Sequence, residues 1–283
     1  MLKRIFASLQ YALPQHLLSR LLGWIADSRV PWLKNFLIKQ FVKHYQIDLT
    51  ENIIQDPYAY PSFNQFFIRK LNLKLRPMSL GENEIVSPVD GSIAALGAIH
   101  KNQLLQAKNI YFNLETLLGQ DPIATRFYDG TFLTAYLAPH HYHRVHMPLA
   151  GQLQKTIYIP GQLFSVNRMT SELIPNLYGR NERFITLFET EAGCMAVIFV
   201  GALIVGSIQT TWMDHPIRST AILTENQPNK MRFEKGAELG YFKMGSTIIL
   251  LYENKKEVRW DPSLSVHSSI KLGQFLGNFN KKD

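Results

Sequence analysis

The sequence has little cysteine, little charge and no long uninterrupted apolar run. Its 283 residues include a single cysteine, Cys194, so an internal disulfide is impossible and a disulfide-stapled secreted scaffold is excluded. Only 18% of the residues are charged, whereas 46% are apolar and 12% are aromatic, which excludes wholesale disorder. A chain of this length can bury a substantial core, as one large domain or two small ones.

Neither the N-terminal segments nor the most apolar run is suited to crossing a membrane as a helix, which takes about 20 consecutive apolar residues. The run 195–208 is rich in Val and Ile and is interrupted by Gly201 and Gly206, which predicts two buried strands. Residues 1–13 have no long apolar stretch followed by a small-residue cleavage site, so we expect no signal peptide.

The net charge of +8 is concentrated at the N-terminus. Residues 1–46 contain seven Lys and Arg against one acid, Asp27, so +6 of the net charge lies there. Such an excess implies an anionic partner, either nucleic acid or an anionic membrane surface. The basic residues are Lys3, Arg4, Arg20, Arg29, Lys34, Lys39 and Lys43.

The same 46 residues predict three short helices, because apolar residues recur at helical spacing and Pro14 and Pro31 suit first helical turns. Basic amphipathic helices of this kind are typical of an interfacial membrane anchor. They are equally typical of a helical subdomain whose apolar stripes pack on the core, and the pattern alone leaves both readings open. The clearest stripes are Leu2, Ile5, Phe6, Leu9 and Leu13, and then Leu17, Leu18, Leu21, Leu22 and Ile25.

From about Ile85 the sequence changes to short β-branched and aromatic runs separated by Gly, Pro and Asn, which predicts strands. We therefore expect an α+β fold, with N-terminal amphipathic helices followed by a mainly antiparallel β core. Residues 176–181 and 225–230 are predicted to be loops. The predicted strands are 92–99, 131–138, 152–159, 184–190, 195–200, 203–210, 221–223 and 247–252.

Four of the nine histidines crowd into residues 139–148, with the sequence PHHYHRVHMP. The bracketing prolines and the preceding strand predict a loop that presents side chains. Imidazole exchanges protons near neutral pH, so we favour an acid/base site. Metal ligation through His143 with His146 or His140 is an alternative, although no nearby carboxylate or helical histidine spacing supports it. A structural surface loop is a third reading.

Two further segments carry candidate chemistry. The turn SPVDG at 87–91 contains Asp90, which caps a turn in most such sequences but would fix the tautomer of an imidazole that it contacts. Gly245-Ser246 stands at the mouth of an apolar strand. A hydroxyl placed after a glycine can attack that residue's carbonyl if a base takes the proton, whereas a strand-entry turn is the common role of such a pair.

Together these segments resemble the phosphatidylserine decarboxylases, pyruvoyl-dependent enzymes of bacterial and mitochondrial membranes, and the short bacterial form fits best. The resemblance spans roughly residues 1–275. Two departures from the family pattern are Met244 in place of the usual Leu, and Pro139-His-His before Tyr142. The matching motifs are SFNQFFIR at 62–69, SPVDG at 87–91, YHRVHMP at 142–148, GQLFSVN at 161–167, NER at 181–183, VGALIVGS at 200–207 and GST at 245–247.

The resemblance implies self-cleavage between Gly245 and Ser246, into a β chain of residues 1–245 and an α chain of residues 246–283. The family's Asp-His-Ser triad corresponds to Asp90, His146 and Ser246. Ser246 would become the pyruvoyl cofactor, so that neither pyridoxal phosphate nor a metal is needed.

The resemblance also implies the reaction. The amine of phosphatidylserine would form a Schiff base with the pyruvoyl group at position 246, and phosphatidylethanolamine would be released after loss of CO₂. His143 corresponds to the residue that protonates the substrate carbon. Phe164, Ser165 and Asn167 are candidate substrate-pocket residues.

A two-chain lipid substrate clarifies the basic N-terminus, because such a lipid does not leave the bilayer readily. We expect residues 1–46 to be a membrane-association region and residues 47–283 the decarboxylase domain. The enzyme would be peripheral on the cytoplasmic face of the cell membrane, with phosphatidylserine and the anionic surface as partners and no nucleic acid. Its own two chains would form a heterodimer, with further oligomerisation open. A metal-dependent hydrolase and a basic membrane- or nucleic-acid-binding module are rivals that self-cleavage would exclude.

Overall fold

The computed structural model describes residues 7, 9–107, 109–203, 207–217, 219–226, 231–243 and 246–280. Short helices at the N-terminus precede a mainly antiparallel β structure, which confirms the α+β prediction. The first predicted helix lies partly outside the described residues. Within the described part, residues 9–12 are helical. The helices are α1 Gln15–Ala26, α2 Pro31–Tyr45, α3 Phe63–Phe67, α4 Leu114–Leu117, α5 Arg168–Ser171 and α6 Leu177–Arg180, with 3-10 turns at Pro57–Ala59, Leu73–Leu75 and Pro122–Phe127.

The main sheet has the strand order β11-β7-β8-β9-β14-β5-β2-β16, and β12 also pairs with β7. Smaller sheets have the orders β10-β13-β6, β1-β17-β15 and β3-β4. The strands are β1 Glu84–Val86, β2 Gly91–Ala98, β3 Gln103–Ala107, β4 Ile110–Asn113, β5 Thr131–Leu137, β6 Arg144–His146, β7 Gly151–Ile159, β8 Arg183–Thr190, β9 Gly193–Val200, β10 Ser207–Thr210, β11 Leu223–Asn226, β12 Arg232–Phe233, β13 Glu238–Lys243, β14 Ser246–Tyr252, β15 Val258–Trp260, β16 Ser269–Ile270 and β17 Phe275–Phe279.

The core covers both faces of the main sheet at its centre, because every residue of β9 and β14 is buried. Long apolar runs of this kind are typical of strands covered on both sides. The predicted strands in this sheet are confirmed to within two residues at each end, apart from 221–223. The run 195–208 forms two strands in different sheets, β9 and β10, while residues 204–206 lie outside the described part.

Three loop predictions were wrong in part. Residues 176–181 contain α6, a single turn whose Leu177 and Tyr178 are buried. The segment predicted as a loop from residue 225 begins within β11, which is exposed at every position and therefore lacks the alternation that marks a strand. The histidine segment contains β6, which is too short to give a periodic signal.

The N-terminal helices pack with an unexpected orientation. Helix α1 buries Gln15, Ser19 and Ala26, so its apolar stripe faces outward rather than onto the core. Helix α2 buries Ile38 against the aromatic cluster of α3. Trp24 is 80% exposed. None of the described helices is long and apolar enough to cross a membrane.

Candidate active site

The SPVDG turn, the histidine segment and Ser246 meet at one end of the main sheet. Strand β5 runs antiparallel to both β2 and β14. The start of β2, just after Asp90, therefore lies on one side of the end of β5, just before the histidines, and the start of β14 lies on its other side. Leu137 is directly opposite Ser246. Glycine is required at position 91, where β2 begins beside β5, because a Cβ there would lie 2.8 Å from the Tyr136 carbonyl oxygen.

A smaller sheet fixes the histidines relative to this end. The backbone N–H of His146 donates to the Pro88 carbonyl (2.9 Å), and His146 lies opposite Glu238 where β6 pairs with β13. Strand β13, which pairs with the strand of His146, ends at Lys243, three residues before Ser246 in the sequence. Residues 244 and 245 lie outside the described part, and the expectation for the Gly245 carbonyl falls there.

His146 is buried and both of its ring nitrogens are engaged. Nε2 lies 2.9 Å from the Tyr142 hydroxyl, and Nδ1 lies 2.8 Å from the Gly236 carbonyl oxygen. Since a carbonyl can only accept, Nδ1 carries the proton and Nε2 accepts from the tyrosine. Burial lowers the pKa of His146, against the raising effects of the Gly236 hydrogen bond and the Glu238 and Asp90 charges.

The Asp90 carboxylate is engaged by groups other than an imidazole. The Arg76 guanidinium donates to both of its oxygens (2.9 and 3.0 Å), and the backbone N–H of Leu272 donates to Oδ1 (2.8 Å). Arg76 also pairs with Glu51. The described hydrogen bonds do not join Asp90 to His146, so Asp90 acts on this histidine through its charge. Sequence reasoning missed Arg76 because a lone arginine 14 residues away gives no signal of this pairing.

Ser246 is completely buried at the start of β14, with its backbone inside the main sheet. Its Oγ has no hydrogen-bond partner among the described residues. A buried hydroxyl without a partner costs about 1–3 kcal/mol, so such a group calls for a reason in a folded protein.

His143 is also completely buried, and its ring stacks on Phe67 with centroids 4.1 Å apart. Nε2 lies 3.2 Å from the Pro139 carbonyl oxygen, whereas Nδ1 has no partner among the described residues. Burial, with the Arg69 charge adding to it, lowers the pKa of His143 well below its usual range. The imidazole is therefore neutral at pH 7, with one nitrogen available.

Arg69 is a site residue that sequence reasoning passed over, although it closes the SFNQFFIR motif. It is buried, and its Nη2 donates to the carbonyl oxygens of His140 (2.8 Å) and His141 (3.3 Å). Burial lowers the pKa of Arg69 to about 10. The guanidinium thus ties the histidine segment to α3, while the same charge disfavours protonation of its histidines.

The three pocket candidates have structural contacts of their own. The ring of Phe164 packs against Tyr11, with centroids 4.8 Å apart and the ring planes tilted by 56°. Asn167 caps α5 by accepting from the Thr170 N–H (3.1 Å). The Ser165 hydroxyl accepts a hydrogen bond from the Asn167 amide (3.0 Å). A role of the three residues in substrate binding stays a prediction.

A cavity of about 100 Å³ lies near this end of the sheet. Ser92 and Tyr136 on its wall are paired across β2 and β5, and Tyr136 is directly opposite Thr247. Because side chains alternate along a strand, the cavity lies on the Thr247 face of the sheet, and the Ser246 side chain points to the other face. The lining residues include Val166 and Arg168 rather than the three candidates beside them. Polar groups on the wall come from Ser92, Tyr136, Arg168, Ser171, Glu172 and His267.

The described part of the chain gives no support to the alternative in which the histidine segment binds a metal ion. Within it, no three His, Cys, Asp or Glu side chains are grouped closely enough to hold a metal ion.

Two family models match this chain. A family model described as phosphatidylserine decarboxylase matches residues 63–278, and another, described as PSD, matches residues 5–46. The chain belongs to the phosphatidylserine decarboxylase family.

Individual relatives in this family match over nearly the whole chain. The phosphatidylserine decarboxylase proenzyme of Azotobacter vinelandii is 46% identical over 280 residues, covering 97% of this chain and 98% of the relative. The proenzymes of Ectopseudomonas mendocina and Bordetella petrii are 46% and 44% identical, covering 98% and 96% of this chain and 99% and 96% of the relatives. The word proenzyme in these names denotes a precursor, which suits an intact Ser246.

Proposed function

We propose that this chain cleaves itself and then decarboxylates phosphatidylserine to phosphatidylethanolamine. Family membership supports the activity. The observation that carries the proposal is the buried, unpartnered hydroxyl of Ser246, at the end of the sheet where the Asp90 and His146 segments meet.

In the cleavage step, Ser246 Oγ attacks the carbonyl carbon of Gly245. Its proton reaches Nε2 of His146 by way of the Tyr142 hydroxyl, which already donates to that nitrogen. The amide C–N bond breaks as the nitrogen of residue 246 takes up the proton from His146, which leaves an ester on Oγ and a free amine. Loss of the Cα proton then expels the Gly245 carboxylate, and water hydrolyses the resulting dehydroalanine, releasing ammonia and leaving a pyruvoyl group.

The surroundings of Ser246 fit such a group. Position 246 is buried at the start of an entirely buried strand, and conversion of the serine removes its unpartnered hydroxyl. The pyruvoyl group supplies a carbonyl electrophile that takes up an amine and accepts the electron pair left by CO₂. His143 holds the proton for the substrate carbon. An anionic substrate beside its free Nδ1 would raise its pKa and charge it.

Both cleavage products would remain in one particle. Strand β14 lies between β9 and β5 in the main sheet, with hydrogen-bonded partners on both sides. The α chain of residues 246–283 would also supply β15, β16 and β17, so the two chains form a heterodimer held by shared sheets and a shared core.

The outward stripe of the N-terminal helices supports docking to a lipid surface. Trp24 and Trp32 are 80% and 72% exposed, and Leu17, Leu21 and Phe36 are exposed with them. Large exposed apolar patches mark interaction surfaces, and the surrounding basic charge favours anionic lipid. We assign residues 1–46 to membrane association and residues 47–283 to decarboxylation, with the enzyme peripheral on the cytoplasmic face of the cell membrane.

Intact mass spectrometry of the purified protein tests this function directly. We expect an α chain of roughly 4 kDa, beginning at position 246 with the mass of a pyruvoyl group, and formation of phosphatidylethanolamine from phosphatidylserine vesicles. Ser246→Ala should give one uncut chain with no activity. An uncut wild-type chain that also fails to release CO₂ would rule the proposal out.

A further inference from the structure

Residues 163–165 connect β7 to α5 without secondary structure of their own, and amide side chains from elsewhere replace the missing strand partner. Each of the three backbone N–H groups donates to the side-chain oxygen of a Gln or Asn. The pairs are Leu163 with Gln15 (2.6 Å), Phe164 with Asn181 (3.1 Å) and Ser165 with Gln10 (2.8 Å).

Two of these three partners belong to the N-terminal segment, residues 9–26. Gln10 and Gln15 are 1% and 7% exposed, and Gln15 Nε2 donates to the Gln10 carbonyl oxygen (2.7 Å), so the two glutamines form one connected unit. His16 adds a contact of 2.9 Å between its Nε2 and the Gly161 carbonyl oxygen. Buried amides need partners, and here the side-chain oxygens of both glutamines accept from the loop backbone, whereas Gln10 Nε2 has no partner among the described residues.

The opposite side of the N-terminal segment is apolar and exposed. Leu17 and Leu21 are 57% and 54% exposed, while the polar Gln15 and Ser19 are buried on the same helix. This inverts the usual amphipathic arrangement, in which leucines face the protein. The segment therefore joins two surfaces, a polar one against the 163–165 loop and an apolar one that faces outward.

The loop of residues 163–165 continues into residues that form part of the wall of the cavity of about 100 Å³. Val166 follows Ser165 directly, Arg168 begins α5, and both line the cavity. A shift of the backbone at residues 163–165 would therefore move the cavity wall. Asn181, which belongs to the body of the protein, holds Phe164 at both its N–H and its carbonyl.

We propose that Gln10 and Gln15 are positioning residues that hold the loop of residues 163–167, which carries the candidate pocket residues Phe164, Ser165 and Asn167, in register with the lipid-facing side of the N-terminal segment. Their loss would impair capture of a phospholipid from a bilayer while leaving self-cleavage and attachment to the bilayer intact. The inference rests on the proposed function only for the identity of the substrate, because the tie itself is a property of the fold.

The experiment compares the processed wild type with Gln10→Ala, Gln15→Ala and the double variant, using vesicles that contain phosphatidylserine. We expect KM, expressed as lipid concentration, to rise about five- to tenfold in the double variant, since two hydrogen bonds are lost. We expect kcat and vesicle sedimentation to stay within about twofold, because the site at Ser246 and the apolar surface are untouched. Gln154→Ala is the matched control, because Gln154 is exposed on β7 and its side-chain hydrogen bonds within the described residues are to Gln152.

Hydrogen exchange gives a readout that does not depend on activity. In the variants, the amides of Leu163 and Ser165 should exchange faster, while the Phe164 amide stays protected by Asn181. Unchanged exchange would overturn the proposal, as would loss of self-cleavage or of vesicle sedimentation in parallel with KM, which would show a general structural role. A wild type that is inactive on phosphatidylserine would refute the proposed function. The exchange result would then decide separately whether Gln10 and Gln15 hold the loop of residues 163–165.

Discussion

The Tyr142 hydroxyl lies 2.9 Å from Nε2 of His146, the nitrogen that a serine nucleophile would need as its base. The Gly236 carbonyl holds the proton on Nδ1, so Nε2 has its lone pair directed at the tyrosine. Burial raises the pKa of Tyr142, which keeps the phenol protonated and able to donate. This hydrogen bond prepares His146 as a neutral base.

The first prediction concerns the pH dependence of self-cleavage. Because burial lowers the pKa of His146 below its ordinary 6.5, the neutral base persists through the neutral range. The cleavage rate should therefore be constant from pH 8 to about pH 6.5 and fall only at lower pH. A donor to Nε2 favours the neutral ring, so Tyr142→Phe should raise this pKa and move the fall toward higher pH.

Cleavage should also slow about tenfold in Tyr142→Phe, in line with the loss of one positioned proton carrier. Gel time courses of freshly refolded precursor between pH 5 and pH 8 measure both quantities. Tyr111→Phe is the control, since Tyr111 is half exposed on β4. A Tyr142→Phe profile that superimposes on the wild type would show that the hydroxyl has no part in preparing the base.

A second prediction follows from the pairing of Arg76 with Asp90 and Glu51. The Arg76 side chain is only 8% exposed, so Arg76→Leu would leave a largely buried Asp90 carboxylate without its counter-ion. We expect the free energy of unfolding to fall by about 3 kcal/mol and self-cleavage to slow. Urea unfolding of the uncut Ser246→Ala background isolates the stability effect.

Arg232→Leu provides the comparison, because the Arg232–Glu234 pair is exposed at both ends. Exposed pairs contribute about 0–1 kcal/mol, so this variant should unfold nearly as the parent does. Equal losses in the two variants would contradict the view that Arg76 supports Asp90.

The strands that bring the site together could be predicted because they are long and buried on both sides. The runs around β9 and β14 are rich in Val, Ile and Leu, and the run around β5 is rich in Leu and aromatic residues. Candidate site residues follow the end of β5 and stand at the start of β14. The residues at positions 90, 143, 146 and 246 could be named as site candidates from the sequence motifs alone. The α+β class followed from the same contrast between helical spacing and short β-branched runs.

Partners of the site residues could not be predicted, because they come from distant parts of the chain. Tyr142 on His146 is a local pair, but Gly236 and Arg76 reach the site only through the fold. The buried Gln10 and Gln15 of the N-terminal segment contradict the usual rule that apolar residues face the protein, and their hydrogen bonds to the loop backbone at 163–165 explain them. Sequence periodicity records a stripe but not which side of it is covered.

A third prediction separates the two histidines. The His143 side chain contacts Phe67 and Pro139, whereas its hydrogen bond with β13 is made by the backbone carbonyl, which accepts from the Phe242 N–H. Because Asn keeps that backbone bond, His143→Asn should still self-cleave. Decarboxylation should fall at least about 100-fold, the usual contribution of a general acid. Mass spectrometry of the chains and CO₂ release measure the two steps, with the exposed His100→Asn as control. Loss of cleavage in His143→Asn would reverse this division of labour.

The final prediction concerns the outward surface of the N-terminal helices. Trp24 and Trp32 are the most exposed indoles in the described chain, and burying a large apolar side chain contributes about 1.5–3 kcal/mol. Trp24→Ala and Trp32→Ala should each weaken sedimentation with phosphatidylserine vesicles by about tenfold or more.

Both variants should self-cleave as the wild type does, because neither indole approaches the site. Their KM on vesicles should rise together with the loss of binding, in contrast to the Gln10 and Gln15 variants, whose KM rises with binding retained. Tyr111→Ala removes a half-exposed aromatic ring from β4 and should bind vesicles normally. If all three variants sediment like the wild type, the outward stripe is not the lipid-binding surface, and basic residues alone would have to account for attachment.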